Sequence, residues 1–269
     1  MGKLFKKEIW HSKKSIIGWK RRSAGKKKRK KLEETKSIYS LGDQYTKERQ
    51  QLHMEILNDI IKKNKNSMSK MEPTAILIGG GSGTGKTMLR ENIVEKELVI
   101  KSIFAVTVDP DHIKEYIPEY DSLKNTHPTY AAALVHKESR DISDLLLKRL
   151  IKEQKDLIYE STLAKTHKCK KIIDKLHRYD YEVHVHVVDV PLKEAKKRTK
   201  KRAKHTGRTI PAHIIENTHK LVPRTFLAIK DSADSYHVYN NETKLKLIAS
   251  NDYVHAKLYD EFLKKGGIK

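Results

Sequence analysis

The chain has a single cysteine, Cys169, among 269 residues. That excludes an internal disulfide framework and fits a reducing compartment, which points to the cytoplasm. Long apolar runs are also missing. None approaches the ~20 residues that a membrane-spanning helix requires, so no transmembrane segment is expected. No stretch repeats at a fixed period, which excludes solenoid arrays. Acidic residues are scarce only in places. The formal net charge is +23. Residues 1–36 carry 15 Lys/Arg against 3 acids, and residues 193–208 carry 9 against Glu194 alone, so two stretches hold +20 of that total. The remainder is close to neutral. Hydrophobic residues make up 37%, enough for a core, and the length suits one α/β domain with extensions or two small domains.

What is present centres on residues 74–89. The run Ala75-Ile76-Leu77-Ile78 leads directly into Gly80, Gly81, Ser82, Gly83, Thr84, Gly85, Lys86 and Thr87. These residues fit G-x-x-x-x-G-K-[ST], the phosphate-binding loop. Glycines let the backbone curl so that successive N–H groups point inward at phosphate oxygens. The helix expected from Lys86 adds its positive N-terminal end. Lys86 can reach the β- and γ-phosphates, and the Thr87 hydroxyl can ligate Mg²⁺. A strand of buried type precedes the loop, and a helical pattern of Leu89, Ile93 and Leu98 follows. That context separates the motif from a chance glycine-rich turn. A nucleoside triphosphate site is predicted.

A second strand is expected over 104–108, ending in Asp109-Pro110-Asp111. In a parallel α/β sheet, acids at the carboxyl end of a strand face the ligand crevice. Two carboxylates one residue apart can divide Mg²⁺ contact, through Asp109, from general-base work. Asp-Pro-Asp is also ordinary turn chemistry; the phosphate loop upstream favours function. Residues 157–162 read as a third strand that delivers Glu160 to the same edge, to bind substrate hydroxyls, to sit near Mg²⁺, or simply to be exposed. The fourth strand, 181–190, alternates His184 and His186 with valines. With no third ligand nearby, the pair reads as a polar face and not a metal site. The basic stretch 191–209 has helical spacing, with Gly207 to end it. In a phosphoryl-transfer enzyme a lid there would place planar guanidinium groups over the γ-phosphate. A solvated basic helix is the plainer alternative.

Further helices are expected over 37–71, 129–154 and 165–179, as two short helices over 211–221 and 224–230, and over 253–264. Residues 236–248 read as a closing hairpin. The order specifies an α/β fold: a P-loop NTPase, nucleotide-kinase-like, with three layers and a mainly parallel sheet flanked by helices. Residues 1–36 form a basic arm ahead of a domain over 37–269. Like-charge blocks such as 26–31 are usually disordered. Phe5, Ile9 and Ile16 also allow an amphipathic helix that docks on nucleic acid or an anionic membrane, and a targeting address is a third reading.

With these pieces in place, the chain resembles the zeta toxin family of P-loop kinases over about residues 38–265. The resemblance rests on GGGSGTGKT, VTVDPDHIKEYIPEY, HPTYAAALVHKESRDISD, LIYEST, VPLKEAKKRTKKR and GRTIP, with YTKERQQLH as a leading helix. That family phosphorylates a nucleotide-sugar, typically UDP-N-acetylglucosamine, on the 3′-hydroxyl of the amino sugar, using ATP or GTP. The resemblance implies that Lys86 and Thr87 hold the triphosphate and Mg²⁺, and that Asp111 is the general base. It places Glu160 and Asp144 on the acceptor and makes Arg202 and Arg208 clamp the phosphates. A small antitoxin protein is implied as partner. Asp144 stands where the family often has Glu, Ser161 where Gly or another small residue is common, and the basic arm is outside the common pattern. Two other readings stay open. One is a kinase for another nucleotide or for RNA or DNA ends, with the basic stretches guiding a polyanion. The other is a nucleotide-gated binding module without transfer activity.

Overall fold

The computed structural model describes residues 32–64, 69–206 and 209–268. The basic arm up to residue 31 and the expected clamp residue Arg208 lie outside the described residues. The described chain opens with helix α1 (Thr35–Tyr39), a hairpin of β1 (Ser40–Leu41) and β2 (Gln44–Tyr45), and helix α2 (Lys47–Lys63). The helical stretch expected over 37–71 is therefore split. Gly42 adopts a left-handed φ of 62° and Leu41 pairs with Gln44, the geometry of a two-residue hairpin turn. Thr46 restarts the helix: its Oγ1 accepts the Arg49 N–H at 3.3 Å, satisfying one of the donors a helix start leaves unpaired.

The main sheet comprises β3 (Thr74–Gly79), β4 (Val106–Val108), β5 (Leu157–Glu160), β6 (Glu182–Asp189), β7 (Ser235–Asn240) and β8 (Lys246–Ser250). Their order is β4-β5-β3-β6-β7-β8, parallel except for β8, which runs antiparallel to β7. Along β3, Ala75 and Leu77 join a core with Leu157, Val183 and Val185, while Ile76 and Ile78 join another with Ile158 and Val188. Period-two alternation with both faces apolar is what a sheet covered on both sides demands. Helix α3 covers one face through Leu89, Val94 and Leu98. It runs Lys86–Leu89, loosens into a π-turn over Arg90–Val94 and resumes over Glu95–Ile100.

After β4 come α4 (Pro110–Ile113), α5 (Pro118–Thr126), α6 (Pro128–Leu134) and α7 (His136–Lys152). Helix α8 (Thr166–His177) follows β5, and α9 (Leu192–Thr206) and α10 (Ala212–Ile229) follow β6. Helix α11 (Ala256–Lys265) closes the fold. Ile142, Leu146, Ile173, Phe226 and Phe262 from four of these helices fill the core on the Ala75 and Leu77 face. Burying each such side chain fully contributes about 1.5–3 kcal/mol. Phe226 packs edge-on to Tyr236 and Phe262, with ring centres 5.4 and 5.8 Å away, which ties α10, α11 and β7 together.

Three local expectations give way to packing. The single helix expected over 129–154 breaks at Val135, which bends to φ −103°, ψ 0° and is completely buried. The two helices expected either side of Pro223 are one: α10 runs through the proline. Pro223 removes one backbone donor, yet Val222, Phe226 and Ile229 are buried on both sides of it and the helix continues. His186 does not lie on a polar face. It is buried on the side of Val188, its ring stacked 4.8 Å from His237. Burial pushes its imidazole pKa down to about 3, so it is neutral.

The segment α1–α2 is fastened to α5 and α7 by a buried ionic cluster. Arg49 donates to both Glu138 oxygens at 2.5 and 2.9 Å and to both Glu119 oxygens at 2.9 and 2.8 Å. His53 Nε2 lies 2.7 Å from Glu138 Oε1, and the Arg49 guanidinium sits 3.9 Å over the Tyr39 ring. Burial alone would raise the Glu138 pKa, but hydrogen bonds from His53 and Arg49 outweigh it and hold the group at about 2. On the same helix, Asp141 is held by Lys36 Nζ and Tyr45 Oη, each at 2.8 Å.

Candidate active site

The parallel order sets the carboxyl ends of β4, β5 and β3 side by side. Ile78, one residue before the end of β3, is in register with Glu160, the last residue of β5. Asp109 follows β4 directly. The loop from Gly80 to Thr87 thus curls over the same edge that carries the acids, as expected. Three of its glycines, Gly80, Gly83 and Gly85, have positive φ. Gly83 and Gly85 hold φ of 83° and 93°, where an L side chain is strained. A Cβ at Gly83 would also lie 2.7 Å from the Ala195 carbonyl of helix α9.

The loop's outward carbonyls are paired. Lys86 Nζ donates to Gly80 O at 3.1 Å and Gly81 O at 3.4 Å, and the Thr84 hydroxyl donates to Gly81 O at 3.0 Å. Asn241, just after β7, donates from Nδ2 to Thr84 O at 2.9 Å. Arg198 of α9 in turn donates to Asn241 O at 2.8 Å and Glu242 O at 2.9 Å. Helix α9 and the loop after β7 therefore brace the phosphate loop from outside.

One cleft of about 990 Å³ joins these parts. Ser82, Gly83, Gly85, Lys86 and Thr87 line one end; Asp109, Asp111 and Glu160 line its floor; Asp144 and Arg202 also reach it. Gly80, Gly81 and Thr84 are buried behind the lining. Asp109 accepts the Asp111 N–H at 2.8 Å, capping α4, so this carboxylate is fixed by the turn it makes. Lys114 Nζ donates to Asp111 Oδ1 at 2.8 Å. Lys168 Nζ donates to Asp144 Oδ1, also at 2.8 Å. Glu160 is buried, which pushes its pKa up; the Asp109 charge raises it further, and Lys86 and Arg90 pull it down without cancelling the rise.

Some of the site has no sequence signal of its own. Arg90 projects from the π-turn, with Nε 3.3 Å from Glu160 Oε2 and NH1 2.5 Å from Glu95 Oε1; π-turns inside helices are frequent at functional sites. Arg140 and Ser143 of α7 also line the cleft, and the Ser143 hydroxyl is buried with no hydrogen-bond partner among the described residues. Among the described residues no group of three or more His, Cys, Asp or Glu side chains could hold a metal. Among them, too, no helix is long and apolar enough to cross a membrane.

A phosphate loop between a central parallel strand and a helix, with acids on the neighbouring strand ends, defines a P-loop NTPase of the nucleotide-kinase kind. The zeta toxin family model matches residues 58–252, and the chain belongs to that family. A toxin zeta of Streptococcus agalactiae is 30% identical over 138 residues, which cover 49% of this chain and 47% of the relative. The chain spans about half the length of the curated relatives it matches. Among solved structures, the AvrRxo1-ORF1:AvrRxo1-ORF2 complex, also determined with ATP, superposes with a TM-score of 0.70 at 17% identity over 86% of this chain and 82% of its own. The PezAT toxin–antitoxin system of Streptococcus pneumoniae superposes with a TM-score of 0.64 at 19% identity over 81% and 88%. At such identities these structures show a shared fold alone.

Proposed function

We propose that the protein is an ATP-dependent phosphotransferase that moves the γ-phosphoryl group onto a sugar hydroxyl of a nucleotide-sugar such as UDP-N-acetylglucosamine. The observation that supports this most is the single cleft that holds a phosphate loop, a strand-end acid pair and a lid arginine together. Lys86 holds the β- and γ-phosphates and leaves its loop carbonyls to do so. Asp111 accepts the proton of the acceptor hydroxyl as its oxygen bonds to the γ-phosphorus and the bond to the β,γ-bridging oxygen breaks, releasing ADP. Glu160 and Asp144 hold the acceptor. Arg202, with Arg208, clamps the charge that develops on the transferring group.

The donor set fits Mg²⁺. Thr87 and Asp109 offer hard oxygen ligands, and burial together with the Asp109 charge raises the Glu160 pKa in a way a nearby cation would relieve. Mg²⁺ bound there would neutralise phosphate charge. The Streptococcus pneumoniae neighbour is a toxin–antitoxin system, and on that likeness we propose a small antitoxin protein as partner.

The test is transfer from γ-labelled ATP into a panel of UDP-N-acetylglucosamine, NAD, free nucleotides and short RNA or DNA. Label is expected on the sugar-nucleotide. Label on an oligonucleotide end, or ATP binding with no acceptor labelled, overturns the assignment. Lys86→Ala should abolish transfer, and Asp111→Ala should spare ATP binding while removing it. Transfer that survives in Asp111→Ala refutes the base assignment.

A further inference from the structure

A phosphate loop works only when its N–H groups face inward, so its carbonyls face outward and need donors of their own. Lys86, the Thr84 hydroxyl and Asn241 supply three of these contacts. The Ser82 carbonyl is met from helix α10: His219 Nε2 lies 3.1 Å from it. A carbonyl only accepts, so Nε2 carries the proton. His219 is 4% exposed, and its Nδ1 is buried with no hydrogen-bond partner among the described residues. A proton on Nδ1 would therefore be an unsatisfied donor, and the neutral Nε2–H tautomer is the one that fits. Burial pushes the imidazole pKa down; the Asp189 charge and the bond to Ser82 oppose this, and Lys265 and Lys86 reinforce it.

The ring also fills the place of a missing side chain. A Cβ added at Gly81 would lie 2.4 Å from His219 Cδ2 and 2.5 Å from Nε2. Gly81 is absent from the left-handed glycines of the chain, so its backbone alone admits alanine. What excludes alanine is the histidine.

We propose that His219 is a positioning residue: packed on Gly81 and bonded to Ser82 O, it holds the phosphate loop in its phosphate-binding shape. This rests on the reading of residues 80–87 as a nucleotide site. A histidine that merely fills the core would lower stability without singling out ATP. A positioning histidine changes the affinity for ATP, leaves the acceptor alone, and is coupled to Gly81.

Five proteins decide this: wild type, His219→Ala, His219→Gln, Gly81→Ala and the double variant Gly81→Ala/His219→Ala. ATP Kd is measured by calorimetry, KM for ATP and for acceptor by initial rates, and folding by thermal unfolding. His219→Ala is expected to weaken ATP binding about 10-fold, the scale of one buried carbonyl left unpaired, with acceptor KM unchanged. His219→Gln, which keeps an N–H donor, should recover part of the loss. Gly81→Ala should be severe in the wild-type background and add nothing once His219 is alanine. If His219→Ala does not fold, Gly81→Ala in the His219→Gln background carries the same test, because the flexible amide can yield to the new methyl. Folded His219→Ala with wild-type ATP affinity overturns the proposal, as do losses at the two positions that simply multiply. A wild type that binds no ATP overturns the nucleotide reading itself, a separate and distinguishable result.

Discussion

Replacing Arg49 with alanine should leave Glu138 as a fully buried carboxylate, 0% exposed, that keeps His53 but has lost its guanidinium partner. Arg49 itself is 6% exposed at its side chain, so neither charge is relieved by solvent. Breaking one partner of a buried pair costs about 3–5 kcal/mol. The Glu138 carboxyl is held at about 2 instead of its usual 4.5 by His53, Arg49 and Thr35 together, which corresponds to about 3 kcal/mol of linked stability, of which Arg49 supplies a part. In a domain of this size a loss of about 3–5 kcal/mol is a fall in Tm of about 6–20 °C. The sign with pH follows from the depressed pKa. The stabilisation is fully present above the unfolded value of about 4.5 and is lost as pH falls from there toward about 2. Urea unfolding followed by circular dichroism at neutral pH and at pH steps below 5 (about one unit apart) reads both effects. Arg49→Ala should be destabilised at neutral pH and should show a flatter acid dependence than wild type. A loss of less than about 1 kcal/mol, typical of an exposed ion pair, refutes the argument.

Other changes test the cleft and its supports. Glu160→Gln should raise stability at neutral pH while reducing transfer. Burial and Asp109 raise this carboxyl, so its ionisation costs the folded state stability as pH climbs past the unfolded value; a lower Tm in Glu160→Gln would contradict this. Arg90→Met should move the acid limb of the transfer rate to higher pH, because Arg90 pulls the Glu160 pKa down; an unchanged pH profile counts against the contact. Thr46→Ala removes the cap on α2 and should cost about 1 kcal/mol in urea unfolding, with ATP affinity unaltered.

The parts of this fold that could be read in the sequence are local in origin. The glycine spacing of the phosphate loop, the period-two strands and the acids at their ends depend on residues a few positions apart, and each lies where expected. What could not be read depends on topology. Arg90 meets Glu160 70 residues on, Asn241 reaches Thr84 across 157, and His219 reaches Ser82 across 137. None of these pairs exists until the sheet order is known. His186 was legible as one side of an alternating strand. That side is not solvent, because helices cover both faces of a parallel sheet. The hairpin at Gly42-Asp43 interrupts the helix expected over 37–71, and the proline rule yielded at Pro223 to burial on either side.

The family match begins at residue 58 and ends at 252, and neither point is a seam in the molecule. The first falls inside α2, downstream of Arg49, His53, Ile56 and Leu57, all of which are buried. The second falls before α11, which brings Phe262 against Phe226 and Lys265 onto Asp189 and the Val190 carbonyl. Helix α7 is gripped on one side by residues upstream of the match and presents Arg140, Ser143 and Asp144 to the cleft on the other. A gene fragment cut to the match would therefore strip away the outer half of a clamp whose inner half faces the cleft. Recombinant work, domain swaps and comparisons between relatives are better drawn so as to keep α1, α2 and α11 than at the limits of recognisable similarity.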